Sequence, residues 1–191
     1  MIKSLRALGH ELTEPEKQLK LLKLAGLETF QEKLGETDLF PLKTTALEVF
    51  QINVGKMCNQ VCKHCHVDAG PDRKEIMTRD TMQLCIEAIK KTNVHTVDLT
   101  GGAPEMNPNF RWFVEELSKL NVNIIVRCNL TIIVANKKYH DLPYFFKKHR
   151  VEVVSSLPYF SASKTDSQRG EGVFEKSIRA LHMLNDAGYG M

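Results

Sequence analysis

No stretch of the 191-residue sequence approaches the ~18 consecutive apolar residues that a membrane-spanning helix requires. The first residues, Met1 to Lys17, lack the uninterrupted apolar core of a secretory signal, because charges break into them from the start. Charge of one sign is also scarce: 26 Lys and Arg against 23 Asp and Glu leave +3, without the dense basic stripe that a nucleic acid would meet. Nor is there a set of disulfide partners, since five cysteines are an odd number and no export signal takes them to an oxidising compartment. These absences predict a soluble, cytoplasmic chain with no membrane or nucleic-acid partner, whose cysteines are thiols or metal ligands. What is present is 42% hydrophobic residues, enough for a core and too many for wholesale disorder. The length allows one domain, or one domain with an appendage.

Residues 1–44 read as a helical extension and linker. Between Glu14 and Gly35, Leu19, Leu21, Leu22, Leu24, Ala25 and Leu27 stand among Lys and Glu, the pattern of one amphipathic helix that docks on a larger body. Gly35 ends it, and Thr37–Lys43 with Pro41 is the linker. Residues 45–191 carry a different rhythm, and the spacing predicts strands over Leu47–Val54, Thr96–Leu99, Asn123–Cys128 and Val151–Leu157. Helices are predicted over Thr78–Lys91 with Thr78 as N-cap, from Asn107 as cap with Pro108 at the first position, over Leu142–His149, and over Val173–Ala187 up to Gly188.

Fourfold alternation of strand and helix indicates an α/β protein with a parallel sheet, either open or part of a barrel. The strands decide between them. Gln51 and Asn53 alternate with Phe50, Ile52 and Val54; Asp98 and Thr100 with Val97 and Leu99; Arg127 and Asn129 with Val126 and Cys128. A sheet buried on both faces reads as near-continuous apolar residues. A face that turns polar toward the carboxyl ends instead fits a curved sheet with ligand on its concave side. About four βα units do not close a barrel, and the sequence stops just after a helix C-cap, so a partial barrel, truncated at its carboxyl end, is expected.

Chemistry concentrates in the loop after the first strand, where Cys58, Cys62 and Cys65 are spaced C-x3-C-x2-C. Three soft thiolates can close round one soft metal centre. A four-iron cluster held by three cysteines keeps one iron free for a non-protein ligand. Zinc would need a fourth ligand, His64 or His66. Cys62-Lys63-His64-Cys65-His66 also spells the C-x-x-C-H haem attachment signal, and Cys62 with Cys65 could form a redox dithiol.

The cysteine spacing after the first strand of a parallel α/β barrel resembles the radical S-adenosylmethionine (radical SAM) superfamily. Longer strings, from Asn53-Val54-Gly55 through the cysteines to Gly70-Pro71, with Thr100-Gly101-Gly102-Ala103-Pro104-Glu105, Arg127-Cys128-Asn129-Leu130-Thr131 and Gln168-Arg169-Gly170, resemble its arsenosugar biosynthesis branch, from about Leu47 to Gly190. The resemblance implies a [4Fe–4S] cluster on Cys58, Cys62 and Cys65, with SAM chelated by the fourth iron and cleaved by one electron to methionine and a 5′-deoxyadenosyl radical. It implies that the radical is added to a dimethylated trivalent arsenical, giving 5′-deoxy-5′-dimethylarsinoyl-adenosine. SAM is then consumed, and a low-potential donor such as flavodoxin is needed.

By the same resemblance, His64 stands where an aromatic residue lies near the adenine. Gly101 and Gly102 belong to the stretch that holds the methionine amino group, with Glu105 a candidate acceptor for it. Asn129, Ser155 and Ser156, at the ends of the third and fourth strands, are placed to bond the ribose or carboxylate. Arg169 is either a partner of the SAM carboxylate or a solvated arginine, and Arg127 meets an anion or pairs with Asp98. Cys85 and Cys128 read as small buried hydrophobes. Other readings are a radical SAM enzyme acting on a peptide or another small molecule, and a noncatalytic zinc-binding module.

Overall fold

Four short strands, β1 (Val49–Asn53), β2 (Thr96–Thr100), β3 (Asn123–Cys128) and β4 (Val151–Ser155), lie side by side in chain order in one parallel sheet. The structure, a computed structural model, describes residues 3–190. Met1, Ile2 and Met191, at the outer ends of the expected segments 1–44 and 45–191, lie outside the described residues. The predicted α/β class and partial parallel barrel hold, with one or more helices following each strand: α3 (Arg79–Lys90), α4 (Phe110–Leu117), α5 (Leu130–Ala135) and α6 (Leu142–Lys148), then α7 (Ala162–Arg169) and α8 (Val173–Asp186). None of the helices among the described residues is long and apolar enough to cross a membrane.

The core lies between sheet and helices. Val97, Leu99 and Val126 are wholly enclosed by Met82 and Ile86 of α3, Phe113 and Leu117 of α4, and Phe146 of α6. Phe110 meets Phe146 edge-on at 6.2 Å, a favoured aromatic geometry. Thr78 caps α3 as its sequence predicts, its side chain accepting from the Thr81 N–H. On the other face Asp98 gathers its neighbours: the Gln51 amide donates to it at 2.8 Å and the Arg127 guanidinium at 2.8 and 3.0 Å. Asp98 is buried while Arg127 is half exposed, so this pair is the structural ion pair, and it occupies the Arg127 charge.

Three expectations are corrected. The single helix over Glu14–Gly35 is two, α1 (Pro15–Leu24) and α2 (Phe30–Gly35). Gly26 takes a left-handed φ of 62°, and Thr29 begins afresh with a capping box to Glu32, so the chain stops one helix and nucleates another. Leu19, Leu21, Leu22 and Leu24 remain exposed, and none of the described residues of α1 or α2 is buried. The extension is held instead through its beginning: the Ser4 N–H and hydroxyl both donate to Asp72 at 2.7 Å, and the N–H groups of Leu5 and Arg6 donate to Asp68.

Asn107 is not the N-cap of α4; Asn109 holds that position. The Asn107 amide is committed elsewhere, donating to Val54 and Met77 carbonyls at 2.9 and 3.0 Å, which ties β2's exit to the loop after β1. Two helices were also missed. α5 is only six residues and apolar but for Thr131, with no polar stripe to show a period, and α7 is polar with only Thr165 buried.

Candidate metal centre

The chain leaves β1 at Asn53 and returns to the same spot at Met77. The Val54 N–H donates to Thr100 O, the Met77 N–H to Val54 O and the Lys56 N–H to Glu75 O, all within 2.9 Å. This neck closes a loop that carries all three clustered cysteines at the carboxyl end of the sheet. Inside it, the Cys58 N–H donates to Gly70 O and the Gly70 N–H to Lys56 O, while a turn brings the Cys65 N–H to Cys62 O at 3.1 Å. Arg73 braces the outer rim, bound to the carboxylates of Asp68 and Glu75 at 2.8 and 2.6 Å.

Gly101 and Gly102 form the facing wall, and the close approach requires them. The Gly102 and Ala103 N–H groups donate to Gly55 O and Met57 O, each at 2.9 Å. A Cβ on Gly102 would lie 2.6 Å from Met57 O and 2.9 Å from both Ala69 Cβ and Lys56 O. Gly101 adopts φ 152°, open to glycine at no cost.

Between loop and wall is a cavity of about 160 Å³, lined by Cys58, Cys62, Cys65 and His64 on one side and by Gly101, Gly102 and Asn129 on the other. Arg169, Ser156 and His66 complete it and also line a second hollow of about 200 Å³ over the carboxyl ends of β2 and β3, next to Thr100 and Cys128. Seven of the nine predicted site residues therefore meet in one place: the three cysteines, His64, Gly101, Gly102 and Asn129. Ser155 and Glu105 are not on the wall of either hollow. Alternation along β4 takes Ser155 away and its neighbour Ser156 in. Arg169 reaches the cavity because its guanidinium donates to Ser156 O and Gln60 Oε1 at 3.0 and 3.1 Å. Its position at the last turn of α7, a helix the sequence conceals, is why its role could not be read from spacing.

The thiols are held as a set. Cys58 is 5% exposed, and burial pushes its thiol up to about 11, opposed by hydrogen bonds from the Gln60 N–H and the Asn129 amide, and pushed further by Cys62 and Cys65. Burial also raises Cys62, with the Arg169 charge opposing it. Cys65 accepts from the Ala69 N–H at 3.3 Å. Thiols that hold their protons so firmly lose them to a bound metal, which substitutes for the missing positive charge. Among the described residues no three His, Cys, Asp or Glu side chains converge on a single ion position. Three soft sulfurs spread round one cavity suit a cluster that fills the space between them, rather than an ion that needs four ligands closing on a point.

Glu105 is buried beside Cys128, and neither carboxylate oxygen has a hydrogen-bond partner of ordinary geometry. Burial pushes its carboxyl up to about 7, with the Cys128 thiol and the backbone of Glu105 and Asn129 pulling the other way. The folded chain thus keeps a proton that the unfolded chain, at the ordinary 4.5, has lost. Stability is expected to fall as pH rises between those two values, by at most about 1.4 kcal/mol per pH unit, and to flatten above and below. Glu105→Gln removes that slope. Urea unfolding of both proteins at a series of pH values across the window reads it as the difference between them, and parallel curves would assign the slope to other groups.

With this geometry in view, the family model described as the radical SAM superfamily matches residues 52–190. The chain is similar to the mycofactocin maturase MftC of Mycolicibacterium smegmatis, 29% identical over 136 residues, which are 69% of this chain and 33% of that protein. It is similar to the antilisterial bacteriocin subtilosin biosynthesis protein AlbA of Bacillus subtilis, 24% identical over 132 residues, 69% of this chain and 29% of that one. Among solved structures, anSMEcpe with bound AdoMet shares the fold at TM-score 0.61 and 18% identity, over 75% of this chain and 41% of that one. SuiB of Streptococcus suis bound to its precursor peptide SuiA does so at TM-score 0.61 and 18% identity, over 82% of this chain and 34% of that one. The chain spans about a third of the length of the curated relatives it matches.

Proposed function

We propose, since the chain belongs to the radical SAM superfamily, that it holds a [4Fe–4S] cluster on Cys58, Cys62 and Cys65 and cleaves SAM reductively. The observation that carries this reading is the enclosure of three thiols, and no other acidic or thiol group, in one cavity at the carboxyl end of β1. The chemistry supplied by such a cluster with SAM is one-electron scission of the sulfonium to methionine and a 5′-deoxyadenosyl radical.

The chain's own residues orient and enclose. Gly101 and Gly102 leave backbone bare where a Cβ would fill the gap, so the methionine portion can lie against the wall. Asn129 and Ser156 present polar groups from the ends of β3 and β4, in place of Ser155. Arg169, fixed by Ser156 and Gln60, supplies positive charge beside the thiols, while Glu105, off the wall of both hollows, is not placed there to receive the methionine ammonium group. His64 faces the same hollow as the adenine partner. A low-potential reductant such as flavodoxin delivers the electron.

The substrate reading is a dimethylated trivalent arsenical, joined through carbon to the adenosyl group. It is supported by the strings around the cysteines, Gly101-Gly102, Asn129 and Arg169 that resemble the arsenosugar biosynthesis branch. A second reading, a peptide substrate, is supported by the similarity to a bacteriocin biosynthesis protein. Anaerobic incubation with SAM, dithionite and the methylated arsenical, followed by mass spectrometry, separates them. An arsenic–adenosyl adduct is expected. Free 5′-deoxyadenosine without adduct moves the assignment to the peptide reading, and the absence of both overturns the SAM chemistry.

A further inference from the structure

Asn129 makes more hydrogen bonds than its place in the fold requires. As N-cap of α5 it needs only an acceptor, and its Oδ1 serves, accepting from the Thr131 N–H at 3.3 Å and the Thr131 hydroxyl at 3.0 Å. Serine, threonine or aspartate would cap as well. The amide nitrogen does something those residues cannot: it donates to Cys58 Sγ at 3.4 Å and to Asn59 Oδ1 at 2.7 Å. Asn59 closes the ring, its own amide donating to the Thr131 hydroxyl at 3.0 Å. The orientation is determined by its surroundings, because turning the Asn129 amide over would set its oxygen against Asn59 Oδ1 and the sulfur.

The three sulfurs are not treated alike. Cys58 receives two N–H donors, from Gln60 and Asn129; Cys65 receives one, from Ala69; Cys62 receives none among the described residues. Only the Asn129 bond comes from a side chain. It is also buried, where low dielectric strengthens it.

We propose that Asn129 is a positioning residue that sets the electron affinity of the metal centre through the Cys58 sulfur. This rests on the reading of Cys58 as a cluster ligand. An added electron makes the ligating sulfurs more negative, so an N–H aimed at one of them stabilises the reduced form more than the oxidised form and raises the reduction potential. A purely structural Asn129 would pin the cysteine loop to α5 and leave the potential untouched.

The test is a redox titration, followed by electron paramagnetic resonance, of the anaerobically reconstituted full chain. Asn129→Ser keeps a capping oxygen and loses the amide donor. Asn59→Ala loosens the same tether but leaves that donor in place. A midpoint potential does not depend on occupancy, so partial loading is no obstacle. The expected result is a shift to a more negative midpoint in Asn129→Ser, with Asn59→Ala at the wild-type value. Equal potentials in all three, equal shifts in both variants, or an Asn129→Ser protein that takes up no iron overturn the proposal and leave Asn129 a structural tether. A wild-type protein that takes up no iron is a separate result and overturns the cluster assignment itself.

Discussion

Replacing Cys58, Cys62 and Cys65 together by alanine is expected to abolish iron uptake on anaerobic reconstitution, and with it any release of 5′-deoxyadenosine from SAM. The expectation follows from how the cavity is furnished. Its only anionic-capable groups are the three thiols; His64 and His66 are the remaining metal-binding side chains on its wall, and the Arg169 charge repels a bare cation. Each single replacement leaves an iron without its protein ligand, so each alone is expected to cost nearly all the iron. The apo protein should keep its fold. Cys58 is the only deeply buried thiol of the three, and cysteine to alanine there deletes one polarizable atom from a core otherwise intact, a cost on the order of 1 kcal/mol. Iron content, visible absorption and circular dichroism measured together decide the matter. Full iron in the triple variant, with an unchanged fold, would remove the centre of the functional reading.

Gly102→Ala is expected to cost about 2–4 kcal/mol of stability and most of the cluster uptake, a loss far beyond what one methyl group ordinarily brings. The atoms it would strike are backbone carbonyls already in use: Met57 O accepts from Ala103 and Lys56 O accepts from Gly70. Neither can swing aside like the end of a side chain. The cysteine loop must withdraw from the wall, and both hydrogen bonds lengthen as it goes. Gly35→Ala is the control, because a Cβ there meets nothing within 4 Å, and its effect should stay within about 1 kcal/mol and tend to stabilise α2. Urea unfolding and iron content on the two variants make the comparison; a Gly102→Ala protein as stable and as iron-replete as Gly35→Ala would mean the wall is not tight.

Much of this architecture was legible because its signals are local. Thr78 before a 3.6-residue apolar period, and strands whose polar residues alternate with valine and leucine, specify α3 and the sheet from within a few residues. The cysteine spacing likewise carries its meaning in eight consecutive positions. What escaped depended on distant partners. Asn107 looks like a helix cap until the carbonyls of Val54 and Met77, 53 and 30 residues away in sequence, claim its amide. Asn129 reads from its strand end as a polar group for SAM, and no spacing shows that its amide also reaches Cys58 and Asn59, some seventy residues away. Glu105 carries the right charge for an ammonium group but is drawn into the core beside Cys128, and no spacing distinguishes those fates. Leu19 to Leu27 show a helical stripe whether or not a surface meets it, and Gly26 with the Thr29–Glu32 box was enough to cut it in two.

The grip of Ser4, Leu5 and Arg6 on Asp72 and Asp68 makes the opening residues a latch on the far rim of the cysteine loop, more than sixty positions downstream. α1 and α2, between the latch and β1, bury none of their described residues against the core. A purification tag ahead of Ser4, or a cut just behind it, is therefore expected to act first on how firmly the cysteine loop is shut, before any helix in the body of the protein feels the change.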